Sequence, residues 1–160
     1  LLNDNPSTMS LRFYGISPWE QEVLYGLFSN KFKIIQEETT QIDTNFVSEL
    51  VIIIPVQFSE EFFKWFEFRS WERVKSLLKE LKRRRGRGNA IKIEIVFTGN
   101  PNVRLIADLN ETHLFNSSIE KIDFVVELLF DEAYLTLKEV FKIAYKFVIP
   151  TKLLVLSSKN

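Results

Sequence analysis

The chain has 160 residues, with 21 cationic and 21 anionic side chains, a single histidine and no cysteine. Disulfides and thiolate metal sites are thereby excluded, as is any site needing two imidazoles from one chain. A hydrophobic share of 46% that includes 15 phenylalanines and 3 tryptophans predicts one domain with a large aromatic core, not a disordered chain.

No stretch reaches the roughly eighteen consecutive apolar residues that a membrane span requires. "VIIIPV" (51–56) is short and holds a proline, and "LLNDNPSTMS" lacks the basic and apolar blocks of a signal peptide. Cytoplasmic residence without membrane contact is the resulting expectation.

Residues 1–10 read as a loose polar segment, and residues 11–160 as a single α+β domain. Within 16–30, Ser17, Pro18 and Glu20 make a helix start with a capping box. Val23, Leu24, Leu27 and Phe28 supply its apolar stripe. "KFKIIQEE" reads as a strand, "TTQIDTN" as a polar connector, and "ELVIIIPV" as a buried β-branched strand. From Ser59 a helical pattern runs to about Arg85 with a candidate break at Ser70, and Gly86 and Gly88 close it.

"AIKIEIVF" and "NVRLIADL" then alternate with period two around the turn "TGNPN". That spacing opposes Phe97 to Val103, Ile95 to Leu105 and Ile93 to Ala107, and would set Lys92 opposite Asp108. "KIDFVVELL" (121–129) fits both a strand and a helical stripe, and is taken as a strand extending the hairpin into a meander. Residues 131–147 read as a helix capped by Asp131, and "KLLVLSS" as a last strand. The fold class is α+β, an antiparallel or mixed sheet with helices packed mainly on one face.

Charge is unevenly placed. Residues 69–87 carry nine Lys or Arg against two Glu, so this segment is +7 and the remainder −7. Lys75, Lys79, Lys82, Arg83, Arg84, Arg85 and Arg87 form a basic patch suited to backbone phosphates, with salt-dependent affinity and no base readout. The plainer reading is a helix end whose cations complement the dipole, although four consecutive cations repel one another. Phe62, Trp65, Phe66, Phe68 and Trp71 form an aromatic cluster, either a protein-docking surface or a thick core.

Glu94, Asp108 and Asp123 on one face of a meander would suit Mg²⁺ and phosphoryl-transfer or nuclease chemistry. Cross-strand pairing with Lys92 and Arg104 explains the same charges. His113 near Asp108, Ser117 and Ser118 lacks any nucleophile elbow. The sequence therefore assigns no catalytic residue, metal ligand or cofactor.

Together these features point to a non-enzymatic interaction or regulatory module with a protein partner or a second copy of itself. Its charge asymmetry suits head-to-tail or two-fold self-association. Nucleic-acid binding through Lys82–Arg87 is the alternative, and a metal-dependent phosphoryl-transfer enzyme or nuclease the third reading.

Overall fold

The computed structural model describes residues 6–87, 90–100, 102–129, 146–149 and 154–156. The order is β1 (Thr8–Tyr14), α1 (Pro18–Phe28), β2 (Lys33–Glu38), β3 (Ser48–Ile54), α2 (Glu60–Phe66) and α3 (Phe68–Arg85). There follow β4 (Ile91–Phe97), β5 (Val103–Ala107), α4 (Thr112–Glu120), α5 (Ile122–Leu129), β6 (Lys146–Ile149) and β7 (Leu154–Leu156). The strands make one mixed sheet in the order β2-β1-β3-β4-β5-β6-β7.

The sheet's centre explains why helices gather on one side. β1 and β2 are parallel, as are β3 and β4, while β1 and β3 run antiparallel. Two strand–helix–strand crossovers thus lie side by side in opposite directions, each stepping outward from the β1–β3 pair. Such crossovers are right-handed in nearly all proteins. Reversing strand direction and step direction together returns the helix to the same side, so handedness alone places α1 and α2–α3 on one face. Facing them, Met9, Leu11, Phe13, Leu50, Ile52, Ile93, Ile95 and Leu105 are buried. The alternate residues Ser10, Val51, Ile53, Glu94 and Val96 are only half-buried. The architecture is α+β, as the periodicities predict.

The β4–β5 hairpin has the expected register, pairing Phe97 with Val103, Ile95 with Leu105 and Ile93 with Ala107. The ladder stops there, one pair short of Lys92 and Asp108. Lys92 instead registers with Glu49 of β3, and Asp108 is buried.

Four expectations need correction. Residues 8–10 are not loose: "TMSLRFY" forms β1, an interior strand paired on both sides. Its Met9-Leu11-Phe13 alternation was the available signal. Residues 122–129 are helix, not strand. β6 holds the sheet position beside β5, and Ile119, Ile122, Val125 and Val126 bury the helical stripe instead. Of the helix expected over 131–147, residues 131–145 lie outside the described residues, and Lys146 and Phe147 belong to β6.

The long helix breaks at Glu67, where φ is 74°, and not at Ser70. Nine residues of straight helix advance by half a turn, so Phe62 and Trp71 would point in opposite directions. The break turns them toward one another, with ring centroids 6.1 Å apart. Phe63 and Phe66 likewise meet Trp71, at 5.1 and 6.0 Å. Phe28 of α1 and Phe97 of β4 complete the cluster.

Candidate interaction surface at the end of the basic helix

α3 is the middle helix of its layer, and its cations divide by helical face. Lys75, Lys79 and Lys82 recur at i, i+4 and i+7, a single stripe. Lys75, only 3% exposed, reaches Glu72 at 2.7 Å, Asp123 at 3.1 Å and Glu120 at 3.5 Å. Burial pulls its pKa down, but hydrogen bonds to Glu72 and Asp123 outweigh that and hold it above the ordinary lysine value. Lys79 also pairs with Glu120. Lys82 is wholly buried, its ammonium 5.7 Å from the Phe115 ring centre, and burial lowers its pKa. This stripe fastens α3 to α4 and α5.

The opposite flank fastens α3 to α1. Glu20 lies in register with Leu24 and Phe28 on the buried stripe of α1 and is 1% exposed. Its carboxylate accepts from Arg85 at 2.8 and 2.9 Å and from the Ser17 backbone N–H at 2.8 Å, within the expected capping box. Hydrogen bonds from Arg85 are the main reason its pKa falls to about 2, against the opposing effect of burial. Arg85 donates further to Ser48 Oγ, to the Gly15 carbonyl, both at 2.7 Å, and to the Leu81 carbonyl at 3.0 Å. Gly15 has φ 66°, and a β-carbon there would come within 2.6 Å of the Val47 carbonyl oxygen. Only glycine permits this approach.

Above this clasp lies a shallow hollow lined by Gly15, Ser17, Glu20, Val47, Arg84 and Arg85. Arg84 stands at its rim, its Nε 3.4 Å from Glu20 and its guanidinium 5.1 Å from the centre of the Trp19 ring. Trp19 is 54% exposed and Val47 is 69% exposed. Arg83 is exposed and donates to Glu80 one turn back, at 2.7 Å. Gly86 ends the helix, and Arg87 lines a second hollow with Asn110, Glu111 and Thr112 at the start of α4.

Of the seven cations singled out from sequence, Lys75, Lys79 and Lys82 therefore sit between helices, and Arg85 anchors α1. Arg83, Arg84 and Arg87 reach solvent. The aromatic set divides similarly. Phe62, Phe66 and Trp71 are wholly buried. Trp65 is half-buried, with Phe32 edge-on at 5.4 Å and the Lys31 ammonium 5.2 Å from its centre. Phe68 is 48% exposed. Trp19 was missed, because a lone tryptophan in a first helical turn carries no pattern. Glu20 was readable only as a cap, although an acid in the apolar stripe with Leu24 and Phe28 was a signal for a buried partner.

The carboxylate trio does not assemble. Glu94 pairs with Arg104 at 2.6 Å on the open sheet face, whereas Asp123 is on α5 bound to Lys75. Among the described residues, no group of three or more His, Asp or Glu side chains is placed to hold a metal ion. His113 is exposed in the first turn of α4, while Ser118 is buried and donates to the Phe115 carbonyl at 2.7 Å. Glu111 caps that helix by accepting from the His113 and Leu114 backbone N–H groups, which lower its pKa. No helix among the described residues is long and apolar enough to cross a membrane. Compared with family models, curated proteins and solved structures, the chain matches none.

Proposed function

We propose that this chain is a non-catalytic interaction module that docks an acidic segment of a protein partner at the end of α3. One observation carries the reading: Trp19 stands largely exposed with the Arg84 guanidinium stacked against its ring. Tryptophan and arginine are the residue types most enriched among those that dominate binding energy. Here the two side chains already lie against one another, which lowers the side-chain freedom that docking must remove. Glu20 and Arg85 satisfy one another beneath it, so a partner carboxylate meets the outward donors of Arg84. Arg83 is held only by an exposed pair within its own helix, which solvent screens, and is readily recruited.

Nucleic acid is the competing reading, supported by the same exposed Arg83, Arg84 and Arg87. A photo-cross-linking side chain at position 19 should capture a partner that, once purified, binds the chain directly. Trp19→Ala and Arg84→Glu should each weaken that binding at least tenfold, about 1.4 kcal/mol. Unchanged affinity in both variants excludes this surface. Retention of the chain on generic duplex or single-stranded DNA, falling steeply with salt and lost on Arg83→Ala with Arg84→Ala, would install the nucleic-acid reading instead.

A further inference from the structure

β2 is the edge of the sheet, hydrogen-bonded among the described strands to β1 alone. Its sequence is Lys33-Ile34-Ile35-Gln36-Glu37-Glu38, without proline, and all of it but Ile34 is exposed. Ile35 is 55% exposed on the face that the helices leave open, in register with Ser10. Natural edges of this kind are usually shortened, broken or covered, because their unpaired N–H and C=O groups invite another strand.

The direction of those groups can be fixed. The Lys33 N–H donates to Ser7 at 2.9 Å and the Thr39 N–H to Phe13 at 2.7 Å. Odd-numbered residues of β2 therefore spend their backbone groups on β1. Ile34, Gln36 and Glu38 turn theirs outward, since direction alternates along a strand.

From this we infer that β2 pairs antiparallel with β2 of a second copy, about a two-fold axis through Ile35 and perpendicular to the sheet. In that register Ile34 and Gln36 of one chain exchange both backbone hydrogen bonds with Gln36 and Ile34 of the other. Ile35 then faces its own copy in the non-hydrogen-bonded arrangement, where side chains approach most closely. Lys33 falls opposite Glu37 at both ends, an attractive cross-strand pair made twice. Glu37 already touches Arg12, at 3.5 Å, so each end becomes a Lys33–Glu37–Arg12 group.

Sliding by two residues, about Gln36, would oppose Ile35 to Glu37 and Lys33 to Thr39, losing both the apolar contact and the charge match. The surface is thus self-complementary about Ile35, as a two-fold interface requires. The product is one sheet continuous across two chains, built by strand addition. It is independent of the Trp19–Arg84 surface.

Sedimentation of the full chain over a wide concentration range tests the proposal. A reversible monomer–dimer equilibrium is expected. Lys33→Glu and Glu37→Lys should each raise the dissociation constant at least tenfold, and the double exchange should restore it. Gln36→Pro, which removes an outward N–H that β1 does not use, should abolish the dimer. Trp19→Ala with Arg84→Glu should leave it unchanged. A monomer at every concentration overturns the proposal. So does a dimer indifferent to the single charge reversals, or one not restored by the exchange.

Discussion

Glu20 is the residue on which the helical layer most depends. Its pKa falls from an ordinary 4.5 to about 2. A carboxyl with a depressed folded-state pKa stabilises fully above its unfolded value, and that stability is lost as pH falls through the folded one. The contribution is therefore complete above pH 4.5 and disappears on acidification toward 2. At about 1.4 kcal/mol per pKa unit, this is of order 3–4 kcal/mol. Glu20→Gln should cost about 2–4 kcal/mol at neutral pH, because it also strands Arg85. Urea unfolding should find wild type and variant converging as pH falls across that window. A constant difference at all pH values would refute the assignment. The acid's place on the stripe with Leu24 and Phe28 was legible in sequence. Its partner was not, because Arg85 lies sixty-five residues away and gathers acceptors from α1, Gly15 and Ser48.

At the level of elements, Glu67 carries the strain of the fold. Its φ of 74° is one that residues with a β-carbon rarely adopt. Glu67→Gly should stabilise the protein by about 1 kcal/mol in denaturant titration. A loss would mean that this corner is held by its side chain. The hairpin register, the α1 cap and the buried β3 were readable because local periodicity and turn chemistry determine them. The corner was not, since glutamate signals no break and the helical period continues through it. What demands the corner is the need of Phe62, Phe63, Phe66 and Trp71 to share one core, a requirement set by tertiary packing. Residues 122–129 illustrate the same limit: both periods fit, and occupation of the place beside β5 by β6 decided between them.

For the whole molecule, part of the basic segment is joined to acids of neighbouring helices on both flanks of α3. Cations of α3 meet acids of α1 on one flank and of α4 and α5 on the other. The sequence therefore announced an electrostatic asymmetry of which the fold spends Lys75, Lys79, Lys82 and Arg85 on fastening its own helices, leaving Arg69, Arg73, Arg83, Arg84 and Arg87 outward. The two clasps are centred near Lys75 and Arg85, about 15 Å apart along the helix. Asp123→Asn should cost about 1 kcal/mol, and together with Glu20→Gln the losses should add to within about 0.5 kcal/mol. Marked non-additivity in equilibrium unfolding would show that α3 moves as a lever between them.

The reversed pair of crossovers also bears on how the chain is made. On the ribosome, β1, α1 and β2 emerge first, with the flank of β1 destined for β3 still bare. Its partner β3 is not complete until residue 54 has been added, and the outer neighbour of β3, β4, not until residue 97. Until then one flank of the growing sheet stays an open template.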